Sequence, residues 1–229
     1  MCCQSVVDFE HGRIPNLVLV GAGGFASEIV ASFFPSWWQD GSPQLIGYVS
    51  PARADVSWPS ASLPWLGTDE SAQGKYHDAA AIFAIADPRL RERLVRAYSR
   101  AGIRSWTLIH ASSFVSSDVF LEEGLIVGMN ARVMAGCQIA PHVHIDRGVD
   151  IGHDCCIGEY STIHPRAILS GGVRIGKRVV VGSGSVLLPG IEIGEDSIVG
   201  AGSVVTRSVA AHSTVAGNPA RPLETRRSN

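Results

Sequence analysis

From Ile109 onward an aliphatic residue returns at every sixth position: Ile109, Val115, Leu121, Val127, Val133, Ile139, Ile145, Ile151, Ile157, Ile163, Leu169, Ile175, Val181, Leu187, Ile193, Val199 and Val205. Four places after each one, most hexads carry a small or β-branched residue, as at Ala131, Cys137, Val143, Cys155, Ser161 and Val173. Glycine often follows the aliphatic residue directly, as at Gly128, Gly152, Gly158, Gly176, Gly182, Gly194 and Gly200. A period of six matches neither the helical period of about 3.6 nor the strand period of about 2. It fits a prism whose three flat sides each take one hexapeptide, a parallel β-helix with 18 residues per coil. Such prisms wind left-handed, against the usual crossover rule. Seventeen hexads predict between five and six coils, with no break for a long loop. Large aliphatics are expected inside, small residues beside them, and the glycines at corners with unusual dihedrals.

Residues 16–108 follow a different pattern and read as a Rossmann-like α/β half domain. An apolar strand, 16–20, runs into Gly21-Ala22-Gly23-Gly24 and then a helical pattern over 25–34. Strands are expected at 45–49, 79–86 and 106–109, and a helix at 88–101. The Pro-, Ser- and Trp-rich stretch from Ser50 to Trp65 reads as loop. The predicted organisation is a flexible arm (1–15), the α/β domain (16–108), the all-β left-handed prism (109–215) and a C-terminal tail (216–229).

Composition narrows the function classes. The 229 residues are 45% hydrophobic and 17% charged, and 19 basic against 21 acidic groups leave a net charge of −2. That balance gives no field to draw nucleic acid or an anionic membrane, so any anion site is local. The most apolar run, Leu17 to Ala26, is interrupted by glycines and far short of the roughly 20 residues a membrane helix needs. Five unevenly placed cysteines and an acidic, non-apolar start predict a reduced, cytoplasmic protein.

The glycine turn, Gly21 to Ala26, is the first candidate site, because glycines let backbone close on a phosphate at a helix N-terminus. A tight strand-to-helix turn would use the same residues. The absence of an acidic residue at 48–50 argues against an intact dinucleotide site. The second candidate is His153, whose vertical column reads Ala135, His153, Gly171, Pro189. Small neighbours above and below leave room for two substrates, imidazole suits proton removal near neutral pH, and Asp154 is placed to orient it. A surface histidine without a role is the competing reading.

Cys137 and Cys155 are expected to stack inside as packing residues. His144, His153 and His164 fall at different hexad positions, so no metal is expected. His164 stacks over Asp146, Trp37 and Trp38 are placed to pack or to stack on a ring, and the Gly217-Asn-Pro-Ala-Arg221 tail, with Arg226 and Arg227, offers cations.

A glycine-turn α/β domain, an uninterrupted hexapeptide prism with His-Asp at its third coil, and Gly-Asn-Pro-Ala-Arg at its end together resemble the bacterial sugar acyltransferases. The resemblance is to the sialic acid O-acetyltransferase, UDP-4-amino-sugar and GDP-perosamine N-acetyltransferase type. It implies a homotrimer with acetyl-CoA between neighbouring prisms and a sugar nucleotide on the α/β domain. His153 then matches the general base, Asp154 its acidic neighbour, and Gly171 the position whose N–H faces the thioester oxygen. Ser183 and Ala201 match positions lining the coenzyme groove, to which Thr162 and Arg221 are also assigned. Gly23, Gly24 and Phe25 match the turn that touches the sugar nucleotide. Val49 and Ser50 stand where N-acetylating relatives carry two aspartates, Ala86-Asp87 where they carry Gly-Asn, Asp146 where an Asn precedes the base by seven, and Thr162 where some place a histidine. The implied activity is acetylation of an amino group on a nucleotide-linked amino-deoxy sugar. Acetylation of a sugar hydroxyl, and a non-catalytic trimer that binds a sugar nucleotide, are the alternatives.

Overall fold

The computed structural model describes residues 16–34, 43–54 and 63–223. The N-terminal arm, Trp37 and Trp38, the middle of the 50–65 loop, and Arg226 and Arg227 lie outside the described residues. The chain divides into two units, residues 1–108 and 109–229.

In the first unit, β1 (Leu17–Val20) is buried at every residue, which explains its unbroken apolar run. It leads into α1 (Gly24–Phe33), followed by β2 (Leu45–Val49), α2 (Asp69–Lys75), β3 (Ala80–Phe83), α3 (Pro88–Arg100) and β4 (Arg104–Ser105). The strands are parallel in the order β2-β1-β3-β4. The chain therefore crosses over β1 on its way from β2 to β3, and the sheet order reverses between β1 and β3. Outside the carboxyl ends of those two strands such sheets form their ligand crevice.

The expected strand at 106–109 forms only at Leu108–Ile109, and a separate short strand precedes it. Arg104–Ser105 closes this sheet, whereas Leu108–Ile109 starts the prism ladder. Apolar residues run across the junction, so the pattern hides the seam. Helix α2 has no counterpart in the sequence reading, since it is seven residues long with Gly74 inside it. It is fixed by tertiary contact instead: the buried Tyr98 of α3 donates to Asp69 Oδ1 over 2.9 Å and meets Phe83 edge-on at 5.3 Å. Burial, then the Asp69 carboxylate, pushes the Tyr98 hydroxyl far above its usual range.

The second unit is a parallel β-helix of two-residue strands stacked into three sheets. Residues 18 apart pair directly, as Ile139 with Ile157 and Ile145 with Ile163. The six-residue series fills the interior, and Ile139, Ile145, Ile151 and Ile163 have no exposed surface. So do the small residues four places on, among them Val143, Cys155, Ser161 and Ala167.

The corner glycines behave otherwise than expected. Left-handed backbone falls at the fourth position of the hexads, held by glycines such as Gly136 (φ +72) and Gly172 (φ +71), and by Asn130, His142, Asp154, Tyr160, Arg166, Arg178, Asp196 and His212 at φ 56–60. The glycines that directly follow the aliphatic residue do not have positive φ. They are there because the next coil is too close: a Cβ on Gly158 would lie 2.6 Å from the carbonyl carbon of Gly176, and one on Gly152 2.7 Å from the nitrogen of Gly171.

The final coil is 16 residues rather than 18, pairing Val199 with Val215. Beyond it the chain turns back, and Arg221–Pro222 runs antiparallel on Val215–Ala216. Among the described residues no helix is long and apolar enough to cross a membrane.

Candidate functional site

His153 stands on the corner between the six-stranded sheet, which contains Asp150–Ile151, and the five-stranded sheet, which contains Cys156–Ile157. Side-chain exposures of 71% for His153 and 70% for Asp154 put both at the surface. The ring Nδ1 is 2.7 Å from Asp154 Oδ2, so a proton on Nδ1 bonds to the carboxylate and leaves Nε2 facing outward. The local backbone produces this pairing. Asp154 takes left-handed dihedrals (φ 57), its N–H donates to Ala135 O over 2.9 Å, and Gly136 below it has no side chain to collide with the carboxylate.

Gly171, one coil above, makes room for the ring: a Cβ there would lie 2.5 Å from Nε2 and 2.7 Å from Cε1 of His153. Its amide stands outside the backbone ladder. Among the described residues, amides at the third hexad position donate to no backbone carbonyl, which is also why Pro141, Pro165 and Pro189 fit at that position. One corner thus carries an imidazole nitrogen and, on the next coil, an N–H outside the ladder.

The residues assigned to the coenzyme are placed elsewhere on the prism. Ser183 and Ala201 are exposed and stacked one coil apart, but on the corner between the eight-stranded and six-stranded sheets. The width of the six-stranded sheet separates them from His153, and a single chain does not bring them to one corner. Thr162 lies in the eight-stranded sheet, 3% exposed, and shows no ligand a free side chain. Arg221 is exposed in the antiparallel return, where its Nη1 donates to Ala220 O over 2.8 Å.

In the first unit, Gly21 is demanded by the fold. Its φ is +116, and a Cβ would lie 2.9 Å from both Ala84 O and Ile85 Cδ1. Gly23 and Gly24 differ: both are exposed, and a Cβ on either would meet nothing within 4 Å. Gly23 caps α1 without a side-chain bond and no acidic residue occupies the first turn, so the helix amides open toward an anion. Phe25 follows, half-buried. Ala86 is exposed across the crevice on the loop after β3. Val49 and Ser50 are not part of that surface. Val49 has no exposed area, and Ser50, 6% exposed, turns its hydroxyl to Ala52 O over 2.5 Å.

Sequence reading passed over Arg91. It is completely buried, and its Nη1 donates to Ile85 O at 2.6 Å. The signal was present: Pro88, Arg91, Val95 and Tyr98 form the buried stripe of α3, with an arginine at a core position.

Other candidates carry less. Cys137 and Cys155 are buried, donate to Gly152 O and Ser170 O, and offer a substrate nothing. The neighbouring Cys137 thiol, then burial, pushes the Cys155 thiol up. His164 Nδ1 is 3.9 Å from Asp146 Oδ2, too long for a hydrogen bond. Glu195, Asp196 and His212 bring ligand atoms within 4.8 Å of one another, but Arg178 already holds both oxygens of Asp196, at 2.8 and 2.6 Å.

Comparison with known proteins bears on the whole arrangement. Residues 157–189 and 172–207 match the bacterial transferase hexapeptide (six repeats) family. A crystal structure of a histidine variant of perosamine N-acetyltransferase from Caulobacter crescentus, in complex with CoA and GDP-perosamine, superposes with a TM-score of 0.83. It is 30% identical and covers 93% of this chain and 99% of its own. The chain belongs to the bacterial sugar acyltransferases. Within that family, the GDP-perosamine N-acetyltransferase of Escherichia coli O157:H7 is 34% identical over 146 residues, 62% of this chain and 66% of the relative, just under two thirds of its length. The acetyltransferase domain of PglB from Neisseria gonorrhoeae FA1090 is 26% identical with a TM-score of 0.82, covering 91% of this chain and 100% of that domain.

Proposed function

We propose that this protein is an acetyl-CoA-dependent transferase that acetylates the amino group of a nucleotide-linked amino-deoxy sugar used in surface glycan synthesis. The observation that carries this reading is the exposed His153, bonded to Asp154 at 2.7 Å and leaning over the side-chain-free Gly171. The relatives crystallised with CoA and GDP-perosamine support the choice of both substrates.

In this mechanism, Nε2 of His153 takes the proton from the sugar amine as its nitrogen attacks the thioester carbon. The Gly171 N–H stabilises the charge that develops on the thioester oxygen. Collapse of the tetrahedral intermediate breaks the carbon–sulfur bond, and the departing thiolate takes the proton back from the imidazolium. Asp154 holds the ring and its tautomer throughout. No covalent enzyme intermediate forms.

Ser183 and Ala201 sit on a different corner from His153, which supports a homotrimer in which a neighbouring prism supplies the second wall of the coenzyme groove. Gly23, Gly24, Phe25 and Ala86 would receive the sugar nucleotide at the β1/β3 crevice. The burial of Val49 and Ser50, with no carboxylate in their place, favours a second reading in which the acceptor is a sugar hydroxyl.

The test is thiol release by purified protein supplied with acetyl-CoA and a panel of GDP- and UDP-linked 4-amino sugars. His153→Ala is expected to lower the rate by at least about 10²-fold. Unchanged activity in that variant removes the assignment of the base. An acetyl group lost from the product in mild alkali would identify an ester and move the assignment to the hydroxyl.

A further inference from the structure

Arg91 has no exposed surface and is one of the largest fully buried side chains among the described residues. A guanidinium stays protonated in any protein, and burying one is unfavourable by several kcal/mol unless its donors are satisfied. In this fold a hydrophobic residue would complete the α3 stripe of Pro88, Val95 and Tyr98 more simply. The arginine instead sends Nη1 to two successive carbonyls, Ile85 O at 2.6 Å and Ala86 O at 3.3 Å. These belong to the first residues after β3 and its continuation, where the chain leaves the sheet and forms one side of the β1/β3 crevice.

The other side is reached through direct packing. Ala84 O and Ile85 Cδ1 lie against Gly21, at the root of the turn that carries Gly23 and Gly24. A contiguous path therefore runs from the guanidinium to the carbonyls of Ile85 and Ala86, and from that loop to the glycine turn. In trans peptides the N–H points opposite to the C=O, so drawing these two carbonyls inward sets the orientation of both peptide planes along that wall.

We propose that Arg91 is a positioning residue for nucleotide binding: from beneath α3 it fixes the 84–86 loop, and through it the spacing between that loop and the glycine turn. The proposal rests on the reading that this crevice holds the nucleotide of the sugar substrate. A misplacement of about 1 Å in such a wall is enough to weaken recognition by up to about 10²-fold.

The experiment is titration of the full chain with GDP and with UDP, in the absence of acetyl-CoA. The proteins are wild type, Arg91→Lys, Arg91→Gln and Gly21→Ala, each followed also by thermal unfolding and by KM for acetyl-CoA. Arg91→Gln is expected to weaken nucleotide binding by about 10- to 100-fold, with Arg91→Lys between it and wild type, because one ammonium keeps the charge but not the planar fork. KM for acetyl-CoA stays unchanged. Arg91→Lys, which keeps the charge, carries the test where Arg91→Gln fails to fold, and Gly21→Ala, which presses on the same wall from the opposite side, is compared with it at matched thermal stability. Folded variants that bind nucleotide as wild type does would overturn the proposal. So would loss of nucleotide and acetyl-CoA recognition in equal measure, which would mark Arg91 as a general structural support. Wild type that binds neither nucleotide would instead overturn the reading of the crevice, and the role of Arg91 with it.

Discussion

Glycine serves opposite purposes in the two units. In the prism Gly152, Gly158 and Gly176 are squeezed by the backbone of the next coil, and their lack of a side chain is a condition of stacking. At the head of α1, Gly23 and Gly24 face open space, and nothing within the described residues requires them to be glycine. Glycine confined by its own chain reports on folding. Glycine bare toward solvent at a helix N-terminus reports on what approaches from outside. His153 and Gly171 combine the two, since that glycine is emptied for a side chain that is itself at the surface.

This contrast can be broken by experiment. His153→Ala should show the largest effect, a loss of about 10²- to 10⁴-fold in kcat with stability within about 0.5 kcal/mol of wild type, because the ring is exposed. Ile157→Ala, at a position 2% exposed, should destabilise the prism by about 2–5 kcal/mol in denaturant unfolding. Gly158→Ala should lower stability by about 1–3 kcal/mol, since its Cβ meets backbone that cannot swing aside. Tyr98→Phe, by removing the bond to Asp69, should lower stability by about 1 kcal/mol. Gly23→Ala and Gly24→Ala should change stability by no more than about 0.5 kcal/mol and yet raise KM for the nucleotide sugar. A Gly23→Ala protein that unfolds more readily than Gly158→Ala would invert the contrast.

The prism was legible in the sequence because its contacts recur at a fixed interval: knowing that Ile157 points inward is enough to place Ile163 and Ile175. Its corners were legible only in part. Left-handed dihedrals alternate between glycine and residues such as Asp154 and Arg166, so the fourth position carries no single residue type to read. The α/β unit gave up β1 and the glycine turn, whose pattern is local. It concealed α2, whose stability comes from Tyr98, 29 residues away from Asp69. It also concealed the burial of Val49 and Ser50, which depends on how the following loop folds back. His153 and Asp154 could be paired from adjacency, but the separation of Ser183 and Ala201 onto another corner required counting sheets as well as coils. Arg91 was overlooked because an arginine among arginines in 89–100 looks solvated until the helix stripe is drawn.

The shortened last coil has a consequence for self-association. A regular ladder ends in a row of open amides and carbonyls, a template onto which the first coil of another molecule could add without limit. Here Val204 N–H is satisfied by Gly217 O, Val204 O by Ala220 N–H, and Thr214 O by Leu223 N–H, so the returning strand occupies the terminal edge with its polarity reversed. The edge of the eight-stranded sheet at that end therefore offers another prism no open parallel register.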